Sequence, residues 1–214
     1  MARKIVFRIG ADASCTDGAC GQVSRIIVNP DARQVTQLVV DDKHQHGSGR
    51  LVPVDLVDAA TGQIRLRCSL AEFQALQPAQ EAKSVGDLDP TGDDNAPEQV
   101  NWAVWMHMAR DPGKSEAPQQ VTVDSVPSGE VDIHRGLTVC ATDGELGQVQ
   151  GLAVEPGGHR VTHVLLQEGH MRGRKDVAIP IGAVTKIGTF FIHVSLTKDQ
   201  VKDLPSADID HPAR

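Results

Sequence analysis

An eight-residue stretch, Thr16-Asp17-Gly18-Ala19-Cys20-Gly21-Gln22-Val23, returns 126 residues later as Thr142-Asp143-Gly144-Glu145-Leu146-Gly147-Gln148-Val149. The flanks return with it. The turn Asn29-Pro30-Asp31-Ala32 is answered by Glu155-Pro156-Gly157-Gly158, and Val35-Thr36-Gln37-Leu38-Val39-Val40 by Val161-Thr162-His163-Val164-Leu165-Leu166. A repeat of this kind means one unit built twice. Each unit is roughly 75 residues, small but sufficient for one core.

The unit reads as short strands punctuated by turns. Ile5-Val6-Phe7-Arg8 is a strand closed by Gly10. Ala11, Ala13 and Cys15 then alternate with Asp12 and Ser14. Asp17-Gly18 between two extended runs is a hairpin signal, because glycine accepts the positive φ of a tight turn. In the strand that follows, Val23 and Ile26 are three apart and Ile26 and Val28 two apart. Val149, Leu152 and Val154 repeat the break. One extra residue per strand predicts a β-bulge, with Gly151 expected at the extra position. Polar loops are expected at 41–50 and 167–175. Leu51-Val52-Pro53-Val54, matched by Val177 to Ile181 after a one-residue slip, is placed on an edge or a strand start by its proline. Gln63 to Cys68 and Phe190 to Val194 supply the last strands. Ser69-Leu70-Ala71-Glu72 is a capping box opening a short helix with Phe73 and Leu76 inward. Ser195-Leu196-Thr197 begins the same element in the second copy, with Val201 and Leu204 inward.

These patterns predict an all-β chain of two small barrels in tandem, each ending in a short helix and joined by a partly ordered linker. The expected boundaries are 1–78 for the first unit, 79–126 for the linker, 127–206 for the second unit and 207–214 for a tail. Aromatic residues are 3% of the chain, with no tyrosine, so Val, Ile, Leu and Ala must fill the cores. Glu81 to Glu98 is acidic and broken by Pro90, Gly92 and Pro97, and is expected to lack regular structure. Val100 to Met108 holds both tryptophans, Trp102 and Trp105, and is expected to pack on one or both barrels.

Little in the chain supports catalysis. CxxC, HExxH, a Gly-x-Ser-x-Gly elbow and a dinucleotide-type glycine run are all missing, so catalytic, cofactor and metal residues are each expected to be none. His44 and His46 fall in a polar loop, which favours a solvated tip over a metal site. Cys15 and Cys20 flank the Asp-Gly turn and are close enough in sequence for a hairpin disulfide. Ala141 and Leu146 at the matching positions favour simple packing instead. Cys68 and Cys140 have no partner in sequence. The net charge of -7 argues against a general nucleic-acid binder. Arg172, Arg174 and Lys175 form the one local basic cluster, and with Trp102 and Trp105 they are the candidate partner contacts. Asp17, Gly18, Gly21, Asp143, Gly144, Gly147 and Gly151 are read as structural turn and bulge positions, not a binding loop, since the residues between the glycines differ in the two copies. No apolar run is long enough for a membrane span, and a cytoplasmic location is expected.

The pattern Asp-Gly…Gly-Gln-Val, an Asn-Pro or Glu-Pro turn, Val-Thr-x-Leu-Val-Val and Leu-Val-Pro-Val resembles the PRC-barrel domain, over both units and not the linker. That family includes the cytoplasmic domain of the photosynthetic reaction centre H subunit and the C-terminal domain of the ribosome maturation factor RimM. Neither the membrane helix of the former nor the extra barrel of the latter is seen, so the resemblance points to stand-alone tandem proteins. It implies a non-enzymatic adaptor that docks onto a larger protein assembly, and the repeat itself, with the Trp102/Trp105 segment, suggests barrels that pair within the chain or as a homodimer. A ribosome-associated or RNA-processing factor, and an accessory subunit of a membrane-bound electron-transfer complex of photosynthetic type, are the alternatives the resemblance implies.

Overall fold

A computed structural model describes residues 5–42, 45–60, 63–84, 120–168, 175–188 and 190–204. In chain order the strands are β1 (Ile5–Arg8), β2 (Asp12–Ser14), β3 (Ala19–Asn29), β4 (Gln34–Asp42), β5 (Gln45–Pro53), β6 (Val57–Ala60) and β7 (Gln63–Leu66), followed by helix α1 (Leu70–Gln74). After β8 (Gln80–Ser84) and β9 (Gln120–Asp124) come β10 (Val131–His134), β11 (Thr138–Ala141), β12 (Gly144–Val154) and β13 (Val161–Glu168). β14 (Lys175–Pro180), β15 (Val184–Ile187), β16 (Phe191–Val194) and helix α2 (Lys198–Lys202) complete the described chain. The all-β expectation holds, and the second half repeats the first element by element.

The strands form two seven-stranded sheets. One runs β5-β4-β3-β2-β7-β6 and the other β14-β13-β12-β11-β16-β15. The seventh strand of each comes from the other half of the chain. β1 pairs with β12, placing Phe7 opposite Leu152, and β10 pairs with β3, placing Ile133 opposite Ile26. The two units have therefore exchanged their first strands. A sequence boundary near residue 78 separates the repeats, but it does not separate the sheets.

The bulge locates the exchange. Along one edge of β3, residues 19–22 pair with β2, and Arg25 to Val28 pair with β10. Against β4 on the other edge, the register slips between Val23 and Arg25, leaving Ser24 as the extra residue. The second unit does the same at Gln150. A bulge bends and further twists its strand, and here it falls where the strand changes partners. This corrects the expected position of the extra residue: Gly151 is its neighbour, paired with Arg8 of β1. A Cβ at Gly151 would lie 2.2 Å from the Phe7 carbonyl oxygen, so the glycine is there for the close approach of the exchanged strand.

A reciprocal pair of bonds marks the pseudo-twofold axis. Val35 N–H donates to the His159 carbonyl at 3.0 Å, and Val161 N–H donates to the Arg33 carbonyl at 2.8 Å. Arg33 and His159 both adopt left-handed backbone, with φ of 52° and 51°. Around this axis Thr36 Oγ1 donates to Glu130 Oε2 at 2.8 Å, and Arg25 pairs with Asp132 at 3.2 Å. Beneath the strands most buried apolar side chains form one cluster that includes Phe7, Ile26, Leu38, Ile64, Ile133, Leu152, Leu166 and Ile192, while Ile27, Val39, Leu51 and Ala79 form a second, smaller one. Both units contribute to the larger core, so neither closes its own.

Three further expectations change. The polar loop at 41–50 is mostly strand, because β5 starts at Gln45. The acidic stretch from Glu81 begins as β8, paired antiparallel with β9. The short strands β6 and β15 had no sequence counterpart. As expected of the proline-containing segments, β5 and β14 are the end strands of their sheets, with Pro53 and Pro180 their last residues.

Candidate functional site

The repeated Asp-Gly turn anchors the terminal helix of its own unit. Asp17 Oδ1 accepts from Leu70 N–H at 2.8 Å, and Asp143 Oδ1 accepts from Lys198 N–H at 2.9 Å. In each case the donor is the first helical amide, which has no partner inside the helix. The caps complete the arrangement: Ser69 with Glu72, and Thr197 with Gln200, form reciprocal boxes. The second helix is thus capped at Thr197, two residues beyond Ser195.

Gly18 keeps ordinary backbone, whereas Gly144 has a φ of 133°. The positive φ that both copies share belongs to the other glycine: 150° at Gly21 and 151° at Gly147. These residues also let the backbone of the neighbouring strand approach closely. A Cβ there would lie 2.1 Å from the Asp41 carbonyl oxygen, or 2.6 Å from that of Gln167.

The bonds that Glu72 accepts from the Ser69 amide and hydroxyl hold its pKa below the ordinary 4.5. A depressed carboxylate stabilises the fold above its unfolded pKa, and this contribution is lost as pH falls through the folded value. Replacing Glu72 with Gln is therefore expected to flatten the loss of thermal stability as pH falls below the ordinary 4.5. Thermal melts across that range check it.

Of the candidate contacts, Trp102, Trp105, Arg172 and Arg174 lie outside the described residues, as does His44. Lys175 opens β14 opposite Glu168, and His46 lies in β5. The described surface presents a different aromatic pair. Phe190 and Phe191 are 47% and 48% exposed and are the large hydrophobic side chains left outside among the described residues. They lie at the tip of the β15–β16 hairpin, where Gly188 N–H donates to the Phe191 carbonyl at 3.0 Å. His193 lies beside Phe191, with ring centroids 6.3 Å apart. The first unit carries Gln63 and Arg65 at the positions of Phe191 and His193. Strand periodicity contained this signal: with Ile192 and Val194 inward, Phe191 and His193 must face out.

Three cysteines converge in the first unit. Cys15 directly follows β2, Cys20 lies on β3 and Cys68 comes two residues after β7, and these three strands are adjacent in the order β3-β2-β7. All three are buried and free. The Cys15 thiol is within hydrogen-bonding reach of both others. Burial, then the Cys20 thiol, pushes the Cys15 pKa up to about 12; burial, then Cys15, pushes Cys68 up to about 11. Cys20 is also raised, chiefly by burial. At neutral pH these are protonated thiols. Cys68, which had no partner in sequence, thus gains one. Among the described residues no three His, Cys, Asp or Glu side chains are grouped to hold a metal ion, and no helix is long and apolar enough to cross a membrane.

A scan against protein-family models found no match for this chain, and a search of curated proteins found none either.

Proposed function

We propose that this chain is a non-enzymatic interaction protein, built from two PRC-barrel-type modules locked together by strand exchange, that docks onto a larger protein assembly. The glycine, turn and strand pattern of both units supports the family reading. The shared core supports a platform whose halves keep a fixed geometry. The observation that carries the docking reading is the Phe190–Phe191 pair, nearly half exposed at a hairpin tip. The other unit has no phenylalanine at the matching places. Leaving apolar area in water forgoes roughly 25 cal/mol per Å², which a partner surface would recover.

The test compares tagged protein with a Phe190→Ser, Phe191→Ser variant in quantitative affinity capture from native lysate. The reading expects a reproducible protein partner that the double variant loses about tenfold or more, equivalent to about 1.4 kcal/mol. Capture by both forms alike contradicts the assignment of the contact surface. Co-sedimentation of the same two forms with ribosomal subunits and with membranes identifies the assembly.

A further inference from the structure

The cysteine cluster is more than apolar filling. In the second unit its three positions are Ala141, Leu146 and Leu196, all packed against the core. The fold is therefore satisfied there without sulfur. In the first unit all three positions carry thiols, and these are three of the four cysteines in the chain. Thr16 N–H donates to the Cys68 carbonyl at 3.0 Å, and the Thr16 hydroxyl bonds the same oxygen at 3.3 Å. These bonds hold the residue after Cys15 against Cys68 itself, and the Cys15 and Cys68 thiols lie within hydrogen-bonding reach of one another, the side-chain proximity from which a disulfide forms.

We propose that Cys15, Cys20 and Cys68 form an oxidisable thiol site, in which a peroxide converts Cys15 and Cys68 to a reversible disulfide and Cys20 remains as the neighbouring thiol for exchange. Two S–H bonds break and one S–S bond forms. Two protons and two electrons pass to the peroxide, whose O–O bond is cleaved to two hydroxyls. The bond would tie together the segments already joined by the Asp17–Leu70 hydrogen bond, fastening the Asp-Gly turn to the cap of α1. Access for a small oxidant is through the turn itself, where Thr16 and Asp17 are exposed. Burial keeps the thiolate fraction low, so the reaction is slow at neutral pH; the site records sustained oxidation and does not turn over rapidly.

The experiment treats the whole folded protein with diamide, whose N=N bond takes up the same two protons and two electrons. Free thiols are then alkylated, and tryptic peptides are mapped without reduction. The proposal expects a link between the peptide holding Cys15 and Cys20 and the peptide beginning at Cys68. It expects a melting temperature raised by several degrees, because the link closes a loop of ~50 residues, and reversal of both effects by dithiothreitol. Cys20→Ala should keep the link, whereas Cys15→Ala, which copies Ala141 of the second unit, should lose it. A wild-type protein whose thiols all stay free overturns the proposal. So do links that run only between molecules or to Cys140, or a link that survives in Cys15→Ala.

Discussion

Replacing Phe7 with Ala is expected to destabilise the protein by about 3–5 kcal/mol, and the damage should appear in the opposite half of the chain. Phe7 is fully buried, and it pairs with Leu152 in the second unit's sheet. Deleting its ring leaves a cavity where β1 meets Leu152 of the other half. Ile133→Ala is the mirror experiment. Ile133 belongs to the second repeat, is fully buried, and sits opposite Ile26 in the first unit's sheet. Its loss should cost about 2–5 kcal/mol. Both variants should still unfold in one urea transition, because the core is shared. In hydrogen exchange, Phe7→Ala should first loosen β12, and Ile133→Ala should first loosen β3. Two separate transitions would mean that the halves stand alone.

The second large effect is expected at the paired positive-φ glycines, Gly21 and Gly147. Gly21→Ala and Gly147→Ala should each cost about 3 kcal/mol or more, as strain and collision combine. At Gly21 the new methyl would meet the Asp41 carbonyl oxygen at 2.1 Å, at a φ of 150° that L-residues rarely adopt. Backbone cannot move aside there without opening β3 from β4, which pair at Gln22 and Asp41. Gly157→Ala serves as the control. It too has a positive φ, 82°, but no atom lies within 4 Å of its added methyl, so it should cost only about 1 kcal/mol. Equal losses at Gly157 and Gly21 would show that strain alone, and not the close approach of β4, accounts for the glycine.

Much of this fold was legible because local chemistry and tertiary use agree. The three-residue step from Val23 to Ile26 announced the bulge, and Ser69 with Glu72 announced the cap. The two repeats checked one another at both places. The exchange of β1 and β10 was not legible. Ile5 and Phe7, or Val131 and Ile133, carry the same apolar alternation whether they join their own unit or the other one. The choice rests with the short crossings after Arg8 and His134, where Gly10 and Gly136 take left-handed backbone, and the hydrophobic pattern is silent about it. Strand β6 was missed because Asp58-Ala59-Ala60 runs into Thr61-Gly62 and reads as turn. Cys68 had no visible partner because its neighbour depends on the parallel pairing of β2 with β7, a contact across half a hundred residues. The sequence marks Phe190 and Phe191 only as part of a strand, although the inward positions of Ile192 and Val194 already put Phe191 outside.

Strand exchange between the two halves is the centre of this account, and cross-strand nuclear Overhauser effects test it without any substitution. If β1 lies in the second unit's sheet, backbone protons of Phe7 should show contacts to Leu152 and its neighbours on β12, and those of Ile133 should show contacts to Ile26 on β3. Contacts from Phe7 to Ile26, together with contacts from Ile133 to Leu152, would place each first strand in its own unit and contradict the exchange.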